Sequence, residues 1–465
     1  SVQFTCLKNL HIHDFDVASS GKKVALLATP SPNLAEQDKI EIYILDIESK
    51  EVNKLDVPLI GVKRNILFSP DSTCVCFTYL RTGKWFDHKY IAVYNLDNNQ
   101  ITKLTPDVTG INECVYPLRW TTKGILIWWQ YKTSSNLGLL KLDGKVTPLV
   151  SDNKSYIQIA AISLDGENFA YIKGDSKECY ELYYNDVRVT NKSSVLENKA
   201  FAQKEVIQWF SLDGTKVEGI LCKPVDFDSS KKYPLLVRVH GGPKSTSLPV
   251  ALDENTYPIE SFVEKGFLVL LPNYRGSNGY GEKFRSLNYQ DLGTGDYADV
   301  ISGVDYLIGL GFVDGDKTGV MGWSQGGYIS AFCATYSKRF KAASVGAGIS
   351  NWVTYYVSTD IHPFTHYYLG DTPWNDMKVY DKASPMTYIK NSCTPTLIQH
   401  GDADKRVPVS NAYELYRGLC DVGVETELVI FKNMGHGVNK PGIARALMKQ
   451  NLIWFCHYIL GESIE

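Results

Sequence analysis

The sequence predicts two domains of different fold class, an all-β domain in residues 1–200 and an α/β domain in residues 201–465. Two observations predict this division. Short strands separated by turn residues recur up to about residue 192, whereas strands and helices alternate after about residue 198. A chain of 465 residues is also longer than one ordinary domain of about 100–200 residues.

The overall composition is that of a soluble globular protein, with 44% hydrophobic and 21% charged residues. The net charge of −3 argues against a nucleic-acid partner, and the absence of a long apolar run argues against a membrane span. The start of the sequence lacks signal-peptide features, and the ten scattered cysteines suit a reducing compartment, so we expect a cytoplasmic protein, although a removed leader would leave no trace. No metal and no organic cofactor is expected, and homo-oligomerisation stays open.

The all-β half contains a repeat of two strand patterns. One pattern is a turn of Ser, Asp or Gly followed by an alternating strand, and equivalent turn residues Gly21 and Asp71 lie 50 positions apart. The other is a hairpin with an Asp-Gly or Asn-rich turn. A four-stranded repeat of about 40–50 residues is typical of a β-propeller blade. Four such units are recognised, near residues 11–58, 62–106, 112–150 and 155–192.

Four blades are few for a closed propeller. The sequence therefore predicts either a small ring or a chain that has lost upstream blades. A β-sandwich of paired hairpins is the alternative interpretation, because the recurrence of the two patterns is approximate.

The second half begins with a hairpin at 205–221 and continues with apolar runs of buried-strand type, each followed by a loop or a helical pattern. The apolar runs are 235–239, 267–271, 318–321, 342–345, 396–399 and 427–431. The helical patterns are 296–310, 326–338, 408–422 and 441–459. This alternation predicts a mostly parallel sheet covered on both faces, with functional groups at the carboxyl ends of the strands.

A short motif, Gly322-Trp-Ser-Gln-Gly326, joins one apolar run to the helix that follows. It has the G-x-S-x-G form of a nucleophile elbow, in which a sharp strand-to-helix turn exposes the serine hydroxyl. The helix N-terminus favours the negative charge that develops during acyl transfer. Ser324 is therefore the candidate nucleophile.

A serine hydroxyl needs a base and a carboxylate that orients the base. The last two strand ends carry both: His436 lies in a glycine-flanked loop, and His400-Gly-Asp-Ala-Asp404 follows the preceding strand. Asp404 is the first choice for the carboxylate, and Asp402 is the second. The order Ser324, Asp404, His436 is that of an α/β-hydrolase.

An oxyanion also requires preorganised N–H donors. The backbone N–H of Gln325, the residue after the nucleophile, is one candidate. The second is the N–H of Gly242 in His240-Gly-Gly-Pro243, which follows an earlier strand.

These motifs, with Asn273-Tyr-Arg-Gly-Ser-Asn-Gly-Tyr-Gly281, resemble the prolyl oligopeptidase family of serine peptidases. The resemblance is specific in the C-terminal half and extends to the N-terminal half only in architecture. It implies a propeller followed by an α/β-hydrolase domain and a peptide substrate. The acylaminoacyl-peptidase branch is the nearer match, and it implies that Arg406 holds a substrate carbonyl. It also implies that Trp352, Tyr355 and Val407 line the pocket for the residue before the scissile bond.

Two features depart from the family pattern. The family propeller normally has seven or eight blades, and Gln325 stands where a tyrosine is common. The dipeptidyl-peptidase branch uses a Glu-Glu pair in the propeller, and no such dipeptide occurs before residue 200.

The predicted function is hydrolysis of short peptides through an acyl-enzyme, of the acylaminoacyl-peptidase, aminopeptidase or oligopeptidase type. A dipeptidyl peptidase, an esterase or amidase acting on small acyl substrates, and a propeller scaffold with an inactive hydrolase domain are the alternatives.

Overall fold

The computed structural model describes residues 10–463 apart from residues 60, 62, 105–114, 153 and 253–255. The predicted repeat limits at residues 62, 106 and 112 therefore lie outside the described residues. The chain divides into two compact units. Unit 1 is Ser1–Val195 together with Asn278–Lys283, and unit 2 is Leu196–Ser277 together with Phe284–Glu465.

The described residues of unit 1 form four separate antiparallel sheets, each with four strands in chain order. The first is β1 (His11–Val17), β2 (Lys23–Thr29), β3 (Glu41–Asp46) and β4 (Val52–Lys54). The second is β5 (Arg64–Phe68), β6 (Cys74–Leu80), β7 (Lys89–Asn95) and β8 (Ile101–Leu104). The third is β9 (Val115–Thr121), β10 (Gly124–Tyr131), β11 (Ser134–Leu140) and β12 (Val146–Val150). The fourth is β13 (Tyr156–Ile162), β14 (Phe169–Gly174), β15 (Glu181–Tyr184) and β16 (Val187–Arg188).

Each sheet of unit 1 shares a hydrophobic core with the next one along the chain. Buried residues of the first and second sheets, such as Ile42 and Phe77, form one cluster. Cys76 and Ile125 belong to a cluster that joins the second sheet to the third, and Leu137 belongs to one that joins the third to the fourth. Propeller blades pack in this way, each sheet on the next one along the chain, whereas a sandwich consists of two sheets packed face to face. The propeller prediction is confirmed, and the four sheets are called blades below.

A short segment from the middle of the sequence, Asn278–Lys283, belongs to unit 1. Glu282 pairs with Arg81 at 2.9 Å and also accepts the backbone N–H of His88 at 2.7 Å. The carbonyl oxygen of Gly279 accepts the N–H of Lys132 at 2.7 Å. Polar contacts with blades two and three thus hold this segment in the unit.

Glu181 is a fully buried carboxylate in blade four. It accepts hydrogen bonds from the N–H groups of Lys192 and Ser193 and from the hydroxyls of Thr190 and Ser193, and it pairs with Arg188 at 2.8 Å. Burial opposes its ionisation, but these hydrogen bonds hold the pKa of Glu181 well below its usual range. The carboxylate therefore fastens the 188–193 segment onto β15.

We expect Glu181→Gln to destabilise blade four by about 2–4 kcal/mol at neutral pH, because the donors around the carboxylate lose a charged acceptor. A depressed pKa stabilises the fold above the unfolded-state value of about 4.3, and this contribution is lost as the pH falls. The difference between wild type and variant should thus shrink from pH 7 to pH 3. Hydrogen exchange of the amides of residues 187–193, corrected for intrinsic rates, measures this difference. Glu167→Gln is the control, because Glu167 is an exposed carboxylate of the same blade and pairs with Lys123. Equal protection in all three proteins would contradict this role.

Unit 2 is built on one eight-stranded sheet of order β17-β18-β20-β19-β21-β22-β23-β24. Its strands are β17 (Gln203–Phe210), β18 (Lys216–Lys223), β19 (Tyr233–Val239), β20 (Leu268–Asn273), β21 (Val313–Trp323), β22 (Ala342–Gly346), β23 (Thr396–Gly401) and β24 (Thr426–Phe431). The β17–β18 and β18–β20 pairs are antiparallel, and all the other pairs are parallel.

Helices lie between the parallel strands, and one more follows the last strand. They are α1 (Ile259–Glu264), α2 (Glu282–Arg285), α3 (Thr294–Gly309), α4 (Gln325–Tyr336), α5 (Trp352–Ser358), α6 (Pro363–Leu369), α7 (Met377–Ala383), α8 (Ser410–Asp421) and α9 (Pro441–Phe455). Leu236 and Phe455 belong to one core cluster, and Val345 and Leu415 belong to another. The predicted α/β fold is confirmed, and its parallel strands bring their carboxyl ends to one edge of the sheet.

None of the helices in the described part of the chain combines the length and the apolar character needed to cross a membrane. The domain limits 1–200 and 201–465 stay a prediction.

Candidate active site

Ser324 lies between β21 and α4 in a left-handed backbone conformation, with φ of 61° and ψ of −120°. The flanking glycines make this turn sterically feasible. A β-carbon built on Gly326 would lie 2.0 Å from the carbonyl oxygen of Val239, and one built on Gly322 would lie 2.4 Å from the carbonyl carbon of Gly326. Because neither position has room for a methyl group, the G-x-S-x-G spacing is a packing requirement at this turn.

The imidazole of His436 lies between the predicted nucleophile and the predicted carboxylate. Its Nε2 is 2.9 Å from Ser324 Oγ, and its Nδ1 is 2.7 Å from Asp404 Oδ2. His436 belongs to the loop between β24 and α9, and the Trp323 indole N–H donates to its carbonyl oxygen at 2.9 Å. The structure thus joins three residues, which are far apart in sequence, into one chain of hydrogen bonds.

Asp404 is buried in the loop after β23, and both of its carboxylate oxygens accept hydrogen bonds. Its Oδ1 accepts the N–H groups of Arg406 at 2.9 Å and Val407 at 3.0 Å, while Oδ2 faces His436. Burial opposes ionisation, but hydrogen bonds from His400 and His436 and the backbone hydrogen bonds hold the pKa of Asp404 well below its usual range. Asp404 is thus a carboxylate at neutral pH.

The other candidate carboxylate, Asp402, makes a different contact. Its Oδ1 accepts the backbone N–H of Asn433 at 2.7 Å. This bond ties the loop after β23 to the loop that carries His436. Of the two carboxylates, the structure therefore brings Asp404 to the imidazole.

His400 was not among the predicted site residues. Its Nε2–H donates to the carbonyl oxygen of Val407 at 2.7 Å and lies 3.5 Å from Asp404 Oδ2. The ring is completely buried, and its Nδ1 has no hydrogen-bond partner among the described residues. His400 supports the loop that presents the carboxylate. A histidine four positions before the aspartate, at the end of a strand, was the available signal.

The loop after β19 passes beside the nucleophile. A β-carbon built on Gly241 would lie 3.3 Å from Ser324 Cβ, and Gly242 has a φ of 128°. The buried His240 donates from Nδ1 to the carbonyl oxygen of Gly241 at 2.8 Å, and its Nε2 is 2.9 Å from Ser277 Oγ. Burial lowers the pKa of His240 to about 3, so the ring is neutral.

Gln325, the other predicted oxyanion residue, begins α4 and is buried. Its backbone N–H is therefore one of the first in the helix, where amide groups lack partners within the helix itself.

Two of the predicted pocket residues lie in an aromatic cluster. Trp352 and Tyr355 are both buried at the start of α5, with ring centroids 5.3 Å apart. Trp352 also packs edge-on against Tyr328 of α4 at 5.1 Å and stacks with Phe364 at 6.3 Å. Val407 is buried, and its amide binds Asp404. The cluster thus connects α5 and α6 to the helix that begins after Ser324.

Arg406, the remaining predicted substrate residue, is partly exposed and pairs through Nε with Asp360 at 2.8 Å. Among the residues that the structure describes, no group of three or more His, Cys, Asp or Glu side chains is arranged to hold a metal ion.

The geometry can be compared with known proteins. The sequence profile of the "Prolyl oligopeptidase family" matches residues 255–462. The chain is 32% identical to "Uncharacterized peptidase YuxL" of Bacillus subtilis (strain 168) over 73% of this chain and 53% of that protein. It is 25% identical to "Dipeptidyl-peptidase 5" of Schizosaccharomyces pombe over 96% of this chain and 66% of that protein.

A solved structure has a similar fold. Pyrococcus horikoshii acylaminoacyl peptidase matches with a TM-score of 0.81 at 25% identity, over 94% of this chain and 69% of that one. The chain spans between about half and two thirds of the length of the two curated relatives. By this sequence profile, the peptidase relatives and the similar fold, the matched part of the chain, residues 255–462, belongs to the prolyl oligopeptidase family.

Proposed function

We propose that the protein is a serine peptidase that cleaves short peptides through an acyl-enzyme. The observation that carries the proposal is the continuous chain of hydrogen bonds from Ser324 Oγ through His436 to Asp404. A neutral serine hydroxyl is a weak nucleophile, and a neighbouring imidazole that accepts its proton removes this limitation.

In the proposed reaction, Ser324 Oγ attacks the carbonyl carbon of the scissile bond while His436 Nε2 takes the hydroxyl proton. The backbone N–H groups of Gly242 and Gln325 bind the oxyanion. The carbon–nitrogen bond then breaks, and His436 returns the proton to the leaving amine. Water attacks the acyl-enzyme with its proton passing to His436, and Ser324 leaves as the protonated hydroxyl. Asp404 holds the ring in one tautomer and stabilises the imidazolium.

Substrate binding is assigned to Arg406, Trp352, Tyr355 and Val407. The arginine would donate to a substrate carbonyl, and the aromatic cluster would bound the pocket for the residue before the cut. Flat aromatic walls suit proline or another apolar side chain. The proposal covers three types of peptidase: acylaminoacyl peptidase, aminopeptidase and oligopeptidase. The relative named dipeptidyl-peptidase 5 supports dipeptidyl peptidase as the second candidate.

We propose a propeller domain in residues 1–200 and a catalytic domain in residues 201–465. We also propose a cytoplasmic location, since each of the eight cysteines in the described ranges is a free thiol. A peptide is the proposed partner, and the proposal includes no nucleic-acid partner.

We expect the wild-type protein to react with a fluorophosphonate and to hydrolyse peptidyl p-nitroanilides. A panel of acetyl-aminoacyl, free aminoacyl and dipeptidyl p-nitroanilides, with p-nitrophenyl butyrate added, identifies the substrate class. Turnover of the ester alone would replace the peptidase by an esterase. Failure to react with the fluorophosphonate and with all substrates would favour a scaffold with an inactive hydrolase domain.

A further inference from the structure

Two loops of unit 2 are tied together next to Ser324, His436 and Asp404, which are called the triad below. The N–H of Asp360 donates to the carbonyl oxygen of Lys405 at 3.0 Å, and the hydroxyl of Thr359 donates to the carbonyl oxygen of Arg406 at 2.7 Å. The Arg406 Nε–H in turn donates to Asp360 Oδ1 at 2.8 Å. Three bonds therefore fix the acid and the arginine side by side, where α5 ends and the loop after β23 passes.

The Asp360–Arg406 pair is exposed enough to meet a ligand. The side chains are 28% and 39% exposed respectively. A guanidinium has five N–H donors, and among the described residues only Nε–H of Arg406 has an assigned side-chain partner. An ion pair with this exposure contributes little to stability. Within the described ranges, the donors on its Nη edge are therefore available to bind a substrate group.

The backbone of Arg406 also binds the carboxylate of the triad. Its N–H donates to Asp404 Oδ1, and Asp404 Oδ2 faces His436. Asp360 is thus linked through Arg406 to the carboxylate that faces His436.

We infer that Asp360 is a specificity-determining residue: it holds the Arg406 guanidinium by one edge and cancels its charge, so that the site takes substrates whose acyl part is a neutral amide. This inference rests on the proposed function. A lone arginine attracts a carboxylate, whereas a paired one donates to a neutral carbonyl without favouring an anion. Acidic acyl groups are therefore the class that Asp360 excludes.

The test compares two substrates that differ in one charge, acetyl-alanyl and succinyl-alanyl p-nitroanilide. We expect Asp360→Asn to raise the succinyl-to-acetyl ratio of kcat/KM about fivefold, because the Arg406 charge is no longer balanced. For the acetyl substrate, KM should rise while kcat is retained, because the guanidinium loses its orientation. Hydrolysis of p-nitrophenyl butyrate, a neutral ester without a second carbonyl, should change less than about twofold.

Two further variants separate charge from structure. Arg406→Met leaves Asp360 unbalanced and should move the same ratio in the opposite direction. In the Asp360→Asn/Arg406→Met double variant, the effect of Asp360→Asn should disappear, because it acts through the arginine. Asp381→Asn removes the same charge from the exposed α7 and should leave the ratio unchanged.

An unchanged ratio in Asp360→Asn, or an equal loss on all three substrates, would overturn the inference while the peptidase proposal stands. If wild type reacts with none of the substrates, the proposed function fails and the inference fails with it. Should Asp360→Asn not fold, as judged by fluorophosphonate labelling, the ratio in Arg406→Met decides: a ratio that does not fall overturns the inference.

Discussion

Alanine at position 324 is expected to lower kcat for a peptidyl p-nitroanilide by roughly 10⁴- to 10⁶-fold. The hydroxyl of Ser324 is the protein group that forms a covalent bond to the substrate in the proposed mechanism. The backbone of the turn should persist, because the glycine packing around Gly322 and Gly326 involves no atom of the serine side chain beyond Cβ. Residual hydrolysis above the uncatalysed rate would come from the oxyanion donors and from binding.

The measurement is kcat and KM together with fluorophosphonate labelling. Ser337→Ala, at the other end of α4, is the matched control and should label and turn over like wild type. Labelling of Ser324→Ala at the wild-type level would show that another residue is the nucleophile. Unchanged thermal stability of Ser324→Ala would establish that the loss is chemical.

Asparagine at position 404 is expected to lower kcat about 10⁴-fold, with little change in KM. The carboxylate accepts Nδ1–H and so leaves Nε2 free to take the serine proton. An amide can present its NH₂ group to Nδ1 instead, which favours the tautomer with a proton already on Nε2. It also lacks the negative charge that stabilises the imidazolium. The loss should therefore appear in the chemical step.

Asp402→Asn is the control for this prediction, because Asp402 carries the same charge two residues away and binds Asn433 instead of the imidazole. We expect its kcat to stay within about tenfold of wild type, since only a loop contact is weakened. A larger loss in Asp402→Asn than in Asp404→Asn would reverse the assignment of the orienting carboxylate. Pre-steady-state release of p-nitrophenol from p-nitrophenyl butyrate tests whether acylation is the affected step.

The main elements of unit 2 and the three residues of the hydrogen-bond chain could be predicted from the sequence. Parallel strands are buried on both faces, so they appear as apolar runs, and a functional group after such a run must lie at one edge of the sheet. Sequence order could not separate Asp404 from Asp402, because both lie on one loop after β23. Only the hydrogen-bond directions of that loop distinguish them.

The contacts that no pattern predicted are those between residues far apart in sequence. Asp360 and Arg406 are 46 positions apart, and Arg81 and Glu282 are 201 apart, and neither pair belongs to a periodic motif. His400 was overlooked for a different reason: a buried polar residue at a strand end looks like ordinary core until its partners are known. Blade packing in unit 1 was predictable because the repeat itself carries the signal.

The tight approach of Gly326 to the carbonyl oxygen of Val239 has a consequence for how such a catalyst can diverge. The strand that leads into the His240-Gly-Gly loop meets the helix that begins after Ser324 through main-chain atoms at Gly326. The relative placement of the proposed attacking oxygen and the proposed oxyanion donors should therefore be insensitive to side-chain replacement nearby. Substitutions at Asp360, Gln325 and the aromatic cluster can therefore change the substrate preference while the geometry of the proposed reacting groups stays the same. Directed evolution of new specificities should accordingly accept changes at those side chains and reject them at the two glycines.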